Sequence, residues 1–236
     1  MDHVFDLGNT AVKYARYLDG KRMYTERIAK LSDAFFGELP FDARTDRAIF
    51  CTTRTLSKKL QSGLHRMGAH ELSHRDPFPF SIAYATPETL GRDRLAAVAG
   101  AFAEFPGRNV LILDAGTCLT YEWLTAEGIY RGGNISPGLH MRLDAMATFT
   151  AKLPRVDAQL PAPPIGDSTE SALQNGALRG LLYEVRGALA WTKEQFPDPI
   201  ILATGGGGAF LAEHLEDVQY RPHLVLDGLA AVLQRM

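Results

Sequence analysis

Apolar and polar positions alternate along the chain in short blocks. Val4-Phe5 and Val110-Leu111-Ile112-Leu113 are continuous apolar runs of strand length, each ending in an acid. Period-two patterning over 12–18 and 22–28 predicts two strands joined at Asp19-Gly20. The same pattern over 119–124 and 129–132, joined at Glu127-Gly128, predicts a second pair; an acid followed by glycine is a dipeptide suited to closing a hairpin. A further strand is expected at 47–51, and a helix at 56–67. Helical spacing recurs at 95–105, 168–191, 209–215 and 229–233, and 200–203 reads as a strand. Interleaved strands and helices of this kind indicate an α/β architecture. Pro106-Gly107 is the expected boundary between an N-terminal lobe (1–106) and a C-terminal lobe (107–236). The run Pro161-Ala162-Pro163-Pro164 is expected to be a local loop.

The two halves share more than composition. Asp6-Leu7-Gly8-Asn9-Thr10 resembles Asp114-Ala115-Gly116-Thr117-Cys118 at an offset of 108 residues, and Gly20 and Gly128 lie at the same offset. Each half therefore opens with a strand, an Asp-x-Gly loop and an antiparallel hairpin, as a duplicated fold would. Glycine in such a loop lets backbone N–H groups approach an anion, and Asn9, Thr10 and Thr117 add short donors. The carboxylates of Asp6 and Asp114 can hold a hard cation directly or through water. A pair of such loops suits a polyphosphate and its metal. Thr204-Gly205-Gly206-Gly207-Gly208 follows a strand and precedes a helix, an arrangement that admits a nucleotide closely. It is not a dinucleotide fingerprint, and the sequence contains no P-loop.

An acid–base candidate lies in Gly91-Arg92-Asp93-Arg94, at the start of the 95–105 helix. Two flanking arginines are expected to hold Asp93 ionised. An ionised carboxylate can accept the proton of an attacking hydroxyl, and the arginines can hold an anionic group by paired hydrogen bonds. His70-Glu71-Leu72-Ser73-His74 fits a zinc-protease pattern, but Gly68, Pro77 and Pro79 fit a short strand running into a turn better than a helix.

Composition adds exclusions. The 236 residues are 46% hydrophobic and 22% charged, with 25 basic and 27 acidic side chains and a formal charge of −2. That balance supplies no reason to expect nucleic acid or an acidic membrane as partner. Two cysteines make no disulfide framework, and a reducing cytoplasm is the expected setting. The start of the chain lacks the pattern of a secretion signal, and no apolar run reaches membrane-spanning length. The residues alone lead to an ATP-dependent phosphotransferase acting on a small molecule. A phosphohydrolase of the same fold, or a binding protein with a degenerate site, remains open.

Taken in order, these motifs resemble those of the type III pantothenate kinases, in the actin/hexokinase/Hsp70-like ATPase superfamily. Asp6-Leu7-Gly8-Asn9-Thr10-Ala11-Val12-Lys13 resembles the family's first phosphate loop, and Asp114-Ala115-Gly116-Thr117 its second. Gly91-Arg92-Asp93-Arg94 matches Gly-x-Asp-Arg, Gly132-Gly133-Asn134-Ile135-Ser136-Pro137-Gly138 matches Gly-Gly-x-Ile-x-Pro-Gly, and Thr204-Gly205-Gly206 sits where the family approaches adenosine. The resemblance implies a duplicated RNase H-like fold of two lobes with a cleft between them. It further implies that Asp93 is the base, that Gly91, Arg92, Asp93 and Arg94 line the pantothenate site with Tyr84, and that Thr169 contacts substrate across a dimer interface. Asp6 to Lys13, Thr117, Gly205 and Gly206 correspond to ATP positions. Asp114 corresponds to a ligand of potassium or ammonium, and Asp6 to a ligand of magnesium, directly or through water. The implied partners are pantothenate, ATP and a second copy of the chain; the implied product, 4′-phosphopantothenate, starts coenzyme A synthesis. Ala115, Cys118, Leu119 and Glu122 depart from the family pattern.

Overall fold

The structure, a computed structural model, describes residues 1–28, 33–160 and 163–236. Part of the proline-rich run, residues 161 and 162, lies outside them. The chain forms two compact units. One comprises Met1–Gly107, Glu127–Arg131 and His223–Met236; the other comprises Arg108–Ala126 and Gly132–Pro222. Among the described residues no helix is long and apolar enough to cross a membrane.

In the first unit, β1 (Asp2–Leu7), β2 (Val12–Leu18) and β3 (Lys21–Ile28) form an antiparallel meander, and β4 (Arg47–Thr52) and β5 (His70–Glu71) run parallel on the other side of β1. The sheet order is β3-β2-β1-β4-β5. All six residues of β1 are buried, as expected of a central strand covered on both faces. Phe5, Leu7, Tyr14 and Phe50 face Phe36 of α1 (Asp33–Glu38) and Leu64 of α2 (Lys58–Arg66). The alternate positions face the other way, where Tyr17 Oη donates to Asp227 at 2.7 Å and Arg47 Nη1 donates to the Leu233 carbonyl at 2.9 Å. Those two residues lie on α7 (Leu224–Leu233), which packs on α3 (Arg92–Glu104). The helices cross at glycines: a Cβ on Gly228 would lie 1.8 Å from the Ala96 carbonyl oxygen, and one on Gly100 would lie 2.3 Å from that of Leu224.

The second unit repeats the scheme. β7 (Val110–Ala115), β8 (Cys118–Leu124) and β9 (Ile129–Pro137) form the meander, with β10 (Ile200–Thr204) and β11 (Val218–Tyr220) parallel beyond β7. The order β9-β8-β7-β10-β11 matches β3-β2-β1-β4-β5 strand for strand. The first residues of β9 belong to the first unit, where Ile129 and Tyr130 pair with β6 (Ser81–Ile82). Gly20 and Gly128 both take a left-handed φ, +76° and +73°, at the two hairpin turns, the conformation glycine adopts without steric cost. Leu181, Leu182, Val185 and Leu189 of α5 (Thr169–Gln195) cover Leu111, Leu113 and Leu119, joined by Leu211 of α6 (Gly208–His214). The helix α4 (Leu139–Phe149) lies against α5 through Leu143, Ala177 and Leu178.

The expected strands and helices are present. Patterning missed α1, α4, β6 and β11, and it began α7 five residues late. The cause for α4 is visible: its helical stripe Leu139, Leu143 and Met146 is masked by apolar residues that alternate at 139, 141, 143 and 145. The segment His70–Glu71 is a strand, as expected, and His70 bonds Asp76 at 3.0 Å.

Candidate functional site

The first Asp-x-Gly loop leaves β1 at Leu7, and Gly8, Asn9, Thr10 and Ala11 carry the chain to Val12 and Lys13 of β2. Strand register sets the surroundings of Asp6. It pairs with Lys13 across the antiparallel ladder and with Cys51 across the parallel one. Cross-strand partners share a face, so both reach its carboxylate. Lys13 Nζ lies 3.5 Å from Oδ2, and the Cys51 thiol donates to Oδ1 at 3.7 Å. Burial raises the proton affinity of Asp6, and the Lys13 charge opposes that shift.

Asp93 stands in the first turn of α3, one residue after the helix begins. Its Oδ1 accepts the Arg94 backbone N–H at 2.9 Å. A Cβ on Gly91 would come within 2.7 Å of that same oxygen, so the cap position leaves room only for glycine while Asp93 keeps this rotamer. The flanking arginines do not set the direction of the Asp93 shift, contrary to expectation. Burial raises its proton affinity and the nearby Asp6 charge adds to this, against the Arg94 N–H and charge. Arg92 is drawn off into an ion pair with Glu71. Arg94 is buried, with its guanidinium 5.7 Å from the centre of the Tyr84 ring. Tyr84, Arg94, Asp93 and Asp6 thus belong to one unit, and Asp6 and Asp93 are within electrostatic reach of each other.

In the second unit, Asp114 and Ala115 end β7 and a tight turn at Gly116 and Thr117 starts β8, the Gly116 N–H donating to the Cys118 carbonyl at 2.9 Å. The glycine-rich loop after β10 lies directly against it. Gly205 has φ +79°, a Cβ there would lie 2.4 Å from Asp114 Oδ1, and the Gly207 N–H donates to the Ala115 carbonyl at 2.8 Å. Gly206 is exposed beside them. The structure therefore brings Asp114, Thr117, Gly205 and Gly206 together within this unit. Thr169 lies elsewhere, at the first turn of α5, capped by the Ser168 and Ser171 side chains.

The family model for type III pantothenate kinase matches residues 4–190. The chain belongs to that family. A type III pantothenate kinase from Phocaeicola vulgatus is 38% identical over 99% of this chain and 98% of its own. Among solved structures, a Campylobacter jejuni protein assigned to the Baf family of transcriptional activators superposes with a TM-score of 0.66 at 21% identity, covering 99% of this kinase and 98% of that chain. A Sinorhizobium meliloti protein assigned as a 2-dehydro-3-deoxygalactonokinase gives 0.64 at 14% identity over 100% and 99%. At these identities the structures speak to fold alone, and they agree with the repeated strand order: the kinase has the duplicated, actin-like ATPase fold.

Two donor sets bear on cations. Asp114 is flanked in register by Thr120 on β8 and Thr204 on β10. The hydroxyls of both threonines are buried without a hydrogen-bond partner. Buried hydroxyls left unpaired are costly, and a carboxylate between two neutral oxygens suits a singly charged cation. Asp6 offers one carboxylate, enough for magnesium when phosphates and water supply the remaining oxygens. Patterning singled out neither Thr120 nor Cys51 for the site, and it read Thr204 only as the head of the glycine-rich loop. Their period-two spacing within strands was legible, but their neighbours depend on non-local pairing.

Proposed function

We propose that this kinase transfers the γ-phosphoryl group of ATP to the 4′-hydroxyl of pantothenate, with Asp93 as general base. The reaction is the phosphorylation of pantothenate that opens coenzyme A synthesis. Asp93 takes the hydroxyl proton as the oxygen attacks the γ-phosphorus. The bond from that phosphorus to the bridging oxygen breaks, and ADP leaves. A base works best when its pKa approaches the working pH. The observation that carries the assignment is the position of Asp93: partly buried at the first turn of α3, its proton affinity raised by burial and by Asp6.

The other roles follow the same reading. Residues 6–13, Thr117, Gly205 and Gly206 contact ATP, with backbone N–H groups and short side chains serving its phosphates. Gly91, Arg92 and Arg94 line the pantothenate site with Tyr84, where the buried Arg94 guanidinium suits the substrate carboxylate. Thr169 reaches substrate from a partner copy in a homodimer. Asp114, with Thr120 and Thr204, holds potassium or ammonium, and Asp6 serves magnesium, which when bound offsets phosphate charge. Release of ADP, followed with pantothenate, with other small alcohols and with water alone, each with and without potassium, tests this. Turnover that needs pantothenate is expected. Equal ADP release without any alcohol would indicate a phosphohydrolase instead.

A further inference from the structure

A cluster of side chains that sequence patterning did not single out surrounds Glu184 on α5. Tyr121 Oη, from β8, donates to Glu184 Oε1 at 2.7 Å. Arg142, from α4, forms an ion pair with the other carboxylate oxygen. The same guanidinium donates to Ser136 Oγ at 2.8 Å and, through Nε, to the Pro137 carbonyl at 2.9 Å. Burial works against the charged form of Glu184, yet the hydrogen bonds from Tyr121, Arg142 and Ser136 hold its carboxyl below the usual range. One arginine thus ties β9, α4 and α5 to a single carboxylate, and Tyr121 adds β8.

What this fixes is the junction of β9 with α4 at residues 136–138. The Gly138 N–H donates to the Thr117 carbonyl at 3.1 Å, and its own carbonyl accepts the Arg142 N–H at 3.0 Å. A Cβ on Gly138 would lie 2.4 Å from the Thr117 oxygen and 2.5 Å from that of Gly116, so the junction is pressed onto the loop backbone. A shift of Ser136 or Pro137 therefore passes directly to Gly116 and Thr117. A planar guanidinium is suited to this task because it donates along several fixed directions at once, which a lysine ammonium on a flexible stem does not.

We propose that the Arg142–Glu184 pair positions the Gly116–Thr117 loop for ATP, acting through the β9–α4 junction at 136–138. This rests on the reading of Thr117 as an ATP contact. The test measures kcat and KM for ATP and for pantothenate, together with melting temperature, in Arg142→Ala, Arg142→Lys, Glu184→Gln and Thr117→Ala. For Arg142→Ala, KM for ATP is expected to rise about tenfold, since small misplacements of binding groups carry large rate penalties. Its KM for pantothenate is expected to stay within about twofold, the pattern of lost interaction with one substrate only. Arg142→Lys should recover part of the ATP effect, and Glu184→Gln should resemble Arg142→Ala. A lower melting temperature with an unchanged KM for ATP would overturn the proposal, leaving the pair a structural brace. Should Arg142→Ala not fold, Arg142→Lys and Glu184→Gln carry the same comparison. A raised KM for ATP in Thr117→Ala but in none of the pair variants would overturn the positioning role alone. An unchanged KM for ATP in Thr117→Ala would overturn the ATP reading of the loop, and the proposal with it.

Discussion

Gly228→Ala tests whether the α3–α7 crossing holds Asp93, the proposed base, in place. The added Cβ would sit 1.8 Å from the Ala96 carbonyl oxygen and 2.7 Å from the Gly100 nitrogen. Ordinary contact begins near 3.4 Å, so α7 must withdraw by about 1.6 Å, or α3 must yield by as much. A clash this deep against backbone lies at the upper end of the typical overpacking range, ~3 kcal/mol. Replacing a mid-helix glycine by alanine returns ~1 kcal/mol of helix propensity. The steric term wins, leaving a net loss of ~2 kcal/mol and a fall in melting temperature of roughly 4–8 °C for a chain of this size. The catalytic effect should be larger. Asp93 lies three residues before Ala96 on the same helix, and about 1 Å of misplacement at a reacting group can cost ~100-fold in rate. Thermal melts and pantothenate-dependent ADP release on the same preparations measure both. Gly187→Ala on α5, where nothing lies within 4 Å of the new Cβ, is the control and should melt no lower than the parent. Parental melting and turnover in Gly228→Ala would refute the claim that this crossing sets the position of α3.

Four further outcomes follow from the site. Gly205→Ala must leave a left-handed φ and would press on Asp114 and Ala115, so KM for ATP should rise at least about tenfold while KM for pantothenate holds. Asp114→Asn should remove the stimulation of turnover by potassium, read by titrating potassium chloride into an assay kept at constant ionic strength. Because Asp93 binds its proton more tightly in the fold than the ordinary value of 3.8, activity should fall with decreasing pH along a limb lying above 3.8. The same raised affinity means Asp93 favours folding most below 3.8, with the benefit lost as pH rises through its folded-state pKa. Asp93→Asn, always neutral, should therefore gain melting temperature over the parent as pH rises through that window.

How far the sequence reached depends on whether an interaction is local. The two Asp-x-Gly corners and their hairpins were readable because apolar runs, acidic-glycine turns and the 108-residue offset are all short-range signals. The parallel pairing of β1 with β4 and of β7 with β10 is not, and it is this pairing that puts Cys51 beside Asp6 and Thr204 beside Asp114. The last helix was visible in part, yet its packing on α3 in the first unit joins residues more than a hundred positions apart. The arginines outweighed burial in the expectation for Asp93, and do not in the fold, for a related reason. Neighbouring charges can be counted along a chain, whereas desolvation depends on what packs over the side chain. Arg142 sits on a helix that patterning missed and Glu184 on one that it found, and only the folded arrangement joins them to Ser136, Pro137 and Gly138.

The central claim is that Asp93 accepts the proton of the pantothenate hydroxyl. Its most direct test is the turnover of Asp93→Asn at saturating ATP and pantothenate, with nucleotide binding measured by calorimetry on the same protein. Loss of the base should lower kcat by ~10²–10⁴-fold and leave ATP binding intact. Turnover within a few-fold of the parent would contradict the account and assign the proton to another group.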